Sequence, residues 1–291
     1  MKKLIPILMI ASLISCNKNS EKADGYGNFE ATEVTISAEA NGQIEYLNLE
    51  EGDVLEPNIQ VGVIDTIQLH LNKQQLIASK NTVFSKSSNI LSQRSVLREQ
   101  LKTTLIEKKR IQNMFAENAA TKRQVDEIDG KVSVIQEQIK SVQTQNSPIV
   151  GEVKTIDVQI EKINDQIQKS KIINPIKGTV LVKYAEPNEI TAFGKPLYKI
   201  ADISEMTLRV YISETQLSQI KVGQKVTVKI DAEKEMKSFP GTISWIASSA
   251  EFTPKIVETK EERVNLVYAV KIIVKNDGSF KIGMPAEMWI K

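Results

Sequence analysis

Apolar and polar positions along this 291-residue chain change period three times. Residues 36–54 alternate, with Gly42 ahead of Ile44 and Tyr46 and a turn at Gly52 before Val54. Alternation closed by a glycine turn predicts short β-strands. Residues 173–197 repeat the scheme: Pro175, then Gly178 ahead of Val180 and Val182, then Gly194 before Leu197. Between these two pieces the period becomes seven. Val125, Val132, Ile139, Asn146, Val153, Ile160 and Ile167 share one register, and Ile128, Ile135, Val142, Ile149, Ile156, Ile163 and Ser170 share its companion. Only Asn146 and Ser170 are not Val or Ile, so the pattern is a sustained coiled-coil seam. Asn146 suits the polar seam position that fixes register. Pro148 and Gly151 follow, and a kink or local break is expected there.

Upstream, Leu69, Leu76, Val83, Ile90, Leu97 and Ile111 hold a second seven-residue register with Thr104 as its gap. Ile77, Phe84, Leu91 and Leu105 sit one residue further on and are expected to widen that stripe. Neither Pro nor Gly interrupts residues 66–129. The turn is located instead by geometry, because the two β pieces must return to each other. A turn near Ala119 gives arms over 67–116 and 122–171, each reaching about 75 Å at a helical rise of 1.5 Å per residue. A turn at Pro148 would leave very unequal arms. Beyond residue 204 the alternation returns over 208–212, 226–230 and 242–246, with a long apolar run over 266–274 and a last strand over 283–290. Ser213 and Gln216 form a capping box by spacing, opening a short helix that ends near Gly223. The fold class is therefore α+β and elongated: a split β-domain, a long antiparallel α-helical coiled-coil hairpin and a C-terminal β unit.

Composition removes several function classes. Net charge is +2 with 25% charged residues, no basis for a nucleic-acid partner. Aromatics make up 5%, thin for one large core and suited to several small ones. One Cys and one His allow neither a disulfide framework nor a Cys/His metal site within the chain. His70 has no nucleophile arranged near it in sequence, the carboxylates read as helix charges, and the methionines are scattered. No enzyme, cofactor or metal is expected. Charge is uneven between the arms, with nine Lys/Arg against two Glu in the first and eight against eight in the second. That excess reads as a solvated face or as packing against an acidic neighbour.

Residues 1–3 are basic and 4–14 apolar, a stretch too short to span a bilayer. It ends at Leu13, Ile14, Ser15 and Cys16, which resemble a bacterial lipobox. Residues 1–15 are then a leader, Cys16 is the lipidation site, and 16–32 form a flexible tether. Several acyl chains, each stabilised by roughly 0.8 kcal/mol per buried CH₂, would hold such a protein on a membrane.

Two β pieces split by a helical hairpin and followed by a β-domain resemble the HlyD-like periplasmic adaptors, or membrane fusion proteins, over about residues 33–291. The resemblance implies one lipoyl-like domain from halves 33–65 and 172–203, a hairpin over 66–171 with its tip at about 116–121, and a β-barrel over 204–291. In that family the hairpin tip meets a TolC-like outer-membrane channel, carrying Arg, then Leu four residues on, then Ser seven after that. Arg110, Met114 and Thr121 stand at those spacings, with an unbranched apolar side chain and a hydroxyl retained. Thr121 can also cap the second arm through Gln124. Residues 250–255, with Thr259, Glu262, Arg263 and Tyr268, resemble the branch that travels with ABC-type exporters.

The implied partners are an inner-membrane transporter, of ABC type over RND type, a TolC-like channel, further copies of the chain (a hexamer), and the inner membrane through the lipid anchor of a Gram-negative cell. The chain departs from many members in stopping after the last barrel strand, so a membrane-proximal domain is expected to be absent. Carrier domains of lipoyl type present a Lys at the turn between halves; here the hairpin replaces that turn. The alternative is a lipid-anchored coiled-coil scaffold of the envelope with no transport role.

Overall fold

The structure, a computed structural model, describes residues 22–232, 236–252 and 266–290. The leader, Cys16 and most of the stretch that resembles the ABC-associated branch lie outside the described residues. In chain order the elements are β1 (Gly25–Glu30), β2 (Glu33–Ser37), β3 (Gly42–Leu47), β4 (Val54–Leu55), β5 (Gln60–Ile64), α1 (Ile67–Ala116), α2 (Lys122–Lys169), β6 (Lys171–Ile173), β7 (Gly178–Lys183), β8 (Ile190–Thr191) and β9 (Pro196–Ala201). They continue with β10 (Glu205–Ser213), α3 (Glu214–Leu217), β11 (Lys225–Ile230), β12 (Lys237–Ile246), β13 (Glu251–Phe252), β14 (Leu266–Lys275) and β15 (Pro285–Trp289). The architecture is α+β and elongated, with a long helical hairpin, a lipoyl-like unit of two small sheets and a barrel.

The hairpin is two antiparallel helices of 50 and 48 residues. Asp65 starts the first: its Oδ1 accepts a hydrogen bond from the Ile67 amide at 2.7 Å. Every β-branched seam position of α2 is covered, and Val125, Ile128, Val132, Ile135 and Ile156 are fully buried. On α1 the row from Leu69 to Ile111 faces inward. The row one residue further on does not. Ile77, Phe84, Leu91 and Leu105 are 40%, 60%, 41% and 43% exposed, so the expected widening of the stripe is corrected. The second inward row lies four residues after the seam positions and is mostly polar, including Lys80, Ser87, Arg94 and Lys108 with Leu101 as an apolar member. The aliphatic stems of Lys80 and Lys108 cover the seam while their heads, and the Ser87 hydroxyl, reach polar groups across it. Lys80 Nζ lies 2.6 Å from Asp157 Oδ1, Lys108 Nζ 2.9 Å from Asp129 Oδ1, and Ser87 Oγ donates to Asn146 Oδ1 at 2.6 Å. Two of α1's nine cations are thus matched by acids of α2, and Lys102 and Arg110 pair with the two Glu of α1 itself.

The break expected at Pro148 is absent: α2 runs through it without interruption. Pro148 is exposed, so the carbonyl it strands can turn to water, while Ile149 and Val153 stay covered in the seam.

Each lipoyl-like sheet mixes the two halves. One has the order β2-β9-β7-β4, the other β6-β5-β3-β8. Ile44, Leu47, Val61 and Ile64 from the first half pack against Ile172, Val180, Leu197 and Ile200 from the second. A buried polar tie crosses this core. Asn174 Nδ2 donates to the carbonyls of Glu56 and Ile176, and Tyr198 Oη donates to Asn174 Oδ1 at 3.1 Å. Burial pushes the Tyr198 hydroxyl up to about 12. Lys183, its side chain 6% exposed, bridges Glu186 at 2.8 Å and Glu50 at 2.9 Å. The hydrogen bond to Glu186, then that to Glu50, raises its pKa against the cost of burial.

The barrel sheet runs β10-β1-β15-β11-β12-β14-β13, and β14 pairs back onto β10 to close it. Phe29 and Phe280 stack in its core at 4.4 Å, with Phe239 edge-on to Phe280 at 4.6 Å. Residues 25–30, expected in the flexible tether, form β1, hydrogen-bonded between β10 and β15. Gly27 permits this, because a Cβ there would collide with the backbone of Arg209. The capping box at Ser213 forms with Gln216, but α3 ends at Leu217 and a turn continues to Gly223.

Candidate functional site

The hairpin tip is the place where the candidate residues converge. Helix α1 ends at Ala116 with the Glu117 amide donating to the Asn113 carbonyl at 3.2 Å. Asn118 adopts φ 56°, the left-handed conformation that asparagine tolerates better than most residues, and the Ala119 amide donates back to the Met114 carbonyl at 2.7 Å. Thr121 then opens α2. Its side chain accepts from the Gln124 amide at 3.4 Å, while Gln124 Oε1 accepts from the Thr121 amide at 2.7 Å. This reciprocal box satisfies the Thr121 amide, reinforces the Gln124 amide's bond to the Thr121 carbonyl at 3.1 Å, and holds the turn.

The three candidate docking residues differ in what the fold leaves them. Arg110 has a side chain 68% exposed, with Nη1 2.9 Å from Glu107 Oε2 one turn earlier. An exposed pair of this kind is worth about 0–1 kcal/mol, so the guanidinium is free to exchange it for another acceptor. Met114 is 40% exposed near the end of α1. Thr121 has its hydroxyl engaged by Gln124, donating to Oε1 at 3.0 Å, so its first role is structural. Sequence reasoning missed Phe115, which is 43% exposed beside Met114. It lies four residues beyond Ile111, on the inward row of α1, so the sequence carried no signal that the seam would end before it. Below the tip, Lys108 and Asp129 tie the arms together. Lys122 is paired with Asp126, whose hydrogen bond raises the lysine pKa.

Met114, four residues beyond Arg110, and Phe115 leave exposed apolar side chain at the end of α1. His70 is exposed on α1, far along the helix from the tip. Among the described residues no group of His, Cys, Asp and Glu could hold a metal ion, and no helix is long and apolar enough to cross a membrane.

Residues 206–290 match the YknX-like beta-barrel domain. Over most of its length the chain is similar to UPF0194 membrane proteins. It is 25% identical to one from Yersinia enterocolitica, covering 89% of this chain and 87% of the relative. It is also 25% identical to the UPF0194 membrane protein YbhG of Salmonella gallinarum, covering 91% and 88%. In three dimensions it is similar to MacA from Actinobacillus actinomycetemcomitans, with a TM-score of 0.54 and 19% identity over 91% of this chain and 76% of that one. A MacA-MexA chimera containing the Pseudomonas aeruginosa MexA α-hairpin gives a TM-score of 0.53 at 20% identity, covering 92% and 78%. The fold is that of MacA.

Proposed function

We propose that this protein is a periplasmic adaptor that links an inner-membrane transporter, of ABC type in preference to RND type, to a TolC-like outer-membrane channel. The observation that carries the reading is the capped, exposed tip at the end of two arms of nearly equal length, both rooted in one lipoyl-like domain. Arms of 50 and 48 residues reach roughly 75 Å, enough to carry a contact far from the base. The shared fold and the matching barrel support the same reading. Arg110 and Met114, with Phe115 beside them, make the channel contact, and Thr121 shapes the turn that presents them. Cys16 carries the lipid that holds the protein on the inner membrane of a Gram-negative cell. Several copies, six in the working assembly, surround a lumen, because one hairpin cannot enclose a path. The adaptor moves nothing by its own chemistry; the transporter's energy cycle does.

Arg110→Asp reverses the tip charge at an exposed position. It is expected to abolish export and tip-to-channel crosslinking while circular dichroism stays that of the wild type. Retention of both would overturn the docking assignment.

A further inference from the structure

The barrel has two poles of different character. Both connections to the lipoyl-like domain, after Glu30 and before Glu205, leave one pole. At the opposite pole lie the start of β1, the ends of β10 and β15, and the turn before β11, as the pairings Tyr26 with Tyr211, Gly25 with Met288 and Thr227 with Trp289 require. The chain therefore enters the barrel at the pole opposite its connections to the lipoyl-like domain. Only eight residues separate Cys16 from Gly25. Fully extended, that segment spans about 30 Å. An acyl group on Cys16 would hold this pole within that distance of the bilayer.

What the pole displays suits such a place. The turn at Gly223, closed by the Gln224 amide on the Lys221 carbonyl at 3.1 Å, pushes Val222 out to 63% exposure between Lys221 and Lys225. Trp289 ends β15 with Lys229 Nζ 3.8 Å from its ring, and Trp245, 42% exposed, lies near the polar end of β12 with Lys271 Nζ at 5.4 Å. Three acids nearby are already engaged, while Glu214, at the start of α3 on the same pole, is exposed. Asp24 accepts from the Ile290 amide at 2.6 Å, Glu251 holds Arg209 at 2.8 Å, and Glu287 accepts from Trp289 Nε1 at 3.0 Å. Tryptophan beside lysine, with a small apolar tip, is the chemistry that settles at a headgroup boundary: the ring takes the apolar side and the ammonium meets phosphate.

We propose that this pole docks on the headgroup layer of a phospholipid membrane, with Val222 and its flanking lysines at the contact and both tryptophans at the boundary. The proposal rests on acylation of Cys16 as given above.

The chain's two tryptophans both belong to the barrel, so their emission reports this contact directly. Full-length acylated protein is reconstituted in phosphatidylcholine–phosphatidylglycerol vesicles, with and without bromine along the acyl chains. Brominated lipid is expected to quench tryptophan emission, and the double variant Lys221→Glu, Val222→Asp to lose most of that quenching at equal vesicle-bound protein. Both positions are exposed on a turn, and unchanged circular dichroism would certify the fold. Emission indifferent to bromine, or quenching equal in the double variant, overturns the proposal. So does emission that ignores bromine and responds only to added transporter, which would make the pole a protein contact. Mass measurement of the Cys16 peptide separates the two claims. If no acyl group is found, the anchor reading fails, and quenching of the free protein by added vesicles decides the pole's affinity for lipid by itself.

Discussion

Asn174→Ala should weaken the joint on which the hairpin stands. Asn174 is fully buried, and its amide serves three partners drawn from both halves of the lipoyl-like domain: the Glu56 carbonyl, the Ile176 carbonyl and the Tyr198 hydroxyl. Its own backbone pairs with Ile59 and Asn58 survive the change. A buried polar group left without its partner costs about 1–3 kcal/mol. Three such groups, partly relieved by water entering the vacated space, predict a loss of about 3 kcal/mol. Tyr198→Phe should cost less, about 1–2 kcal/mol, because only Asn174 Oδ1 loses a donor. The double variant should then fall short of the sum by about 1 kcal/mol, the signature of a shared bond. Urea unfolding can follow the two units separately. Far-ultraviolet dichroism is dominated by the 50- and 48-residue helices, while tryptophan emission reports the barrel. The dichroism transition is expected to move and the emission transition to move less. A loss below about 1 kcal/mol in Asn174→Ala would refute the tie between halves.

Other outcomes follow from single groups. Tyr198, neutral when folded, has its pKa raised from 10 to about 12, so the stability it contributes is present below pH 10 and disappears between pH 10 and 12. Base titration of stability should show that loss in the wild type and not in Tyr198→Phe. Gly27→Ala places a methyl group against the Arg209 backbone and should displace β1, costing about 3 kcal/mol and lowering the urea midpoint of the emission transition. Thr121→Ala removes the capping box and should cost about 1 kcal/mol, read as faster amide exchange in the first turn of α2, while Thr121→Ser restores it.

The fold class was legible because its largest element obeys one rule. In α2 the β-branched residues recur every seven positions, and all of those positions face α1. In α1 the same rule misled. Phe84 is one residue beyond a seam position, roughly 100° around the helix, and apolarity alone could not tell that the row of Ser87 and Lys108 would take the inner place. That row is inward because Asp129, Asn146 and Asp157 wait on the facing helix, a match visible only once the arms are paired. Strand β1 was illegible for a related reason. Two glycines and an asparagine among six residues give little strand preference, and its partners lie far away in sequence, at Tyr211 and Met288. At the tip, Arg110 and Met114 could be proposed from the family resemblance, whereas Phe115 needed the end of the helix to show that the seam no longer covers it.

Strand β1 has a mechanical meaning. Any tension between an anchored N-terminus and the rest of the molecule enters along this strand, parallel to its axis. Its hydrogen bonds to β10 and β15 stand nearly perpendicular to that pull, so both ladders are loaded in shear and their bonds must yield together instead of one after another. With Cys16 acylated as proposed, the barrel would be a strain relief: a force on that anchor would load a two-sided seam before it reached the lipoyl-like joint or the hairpin.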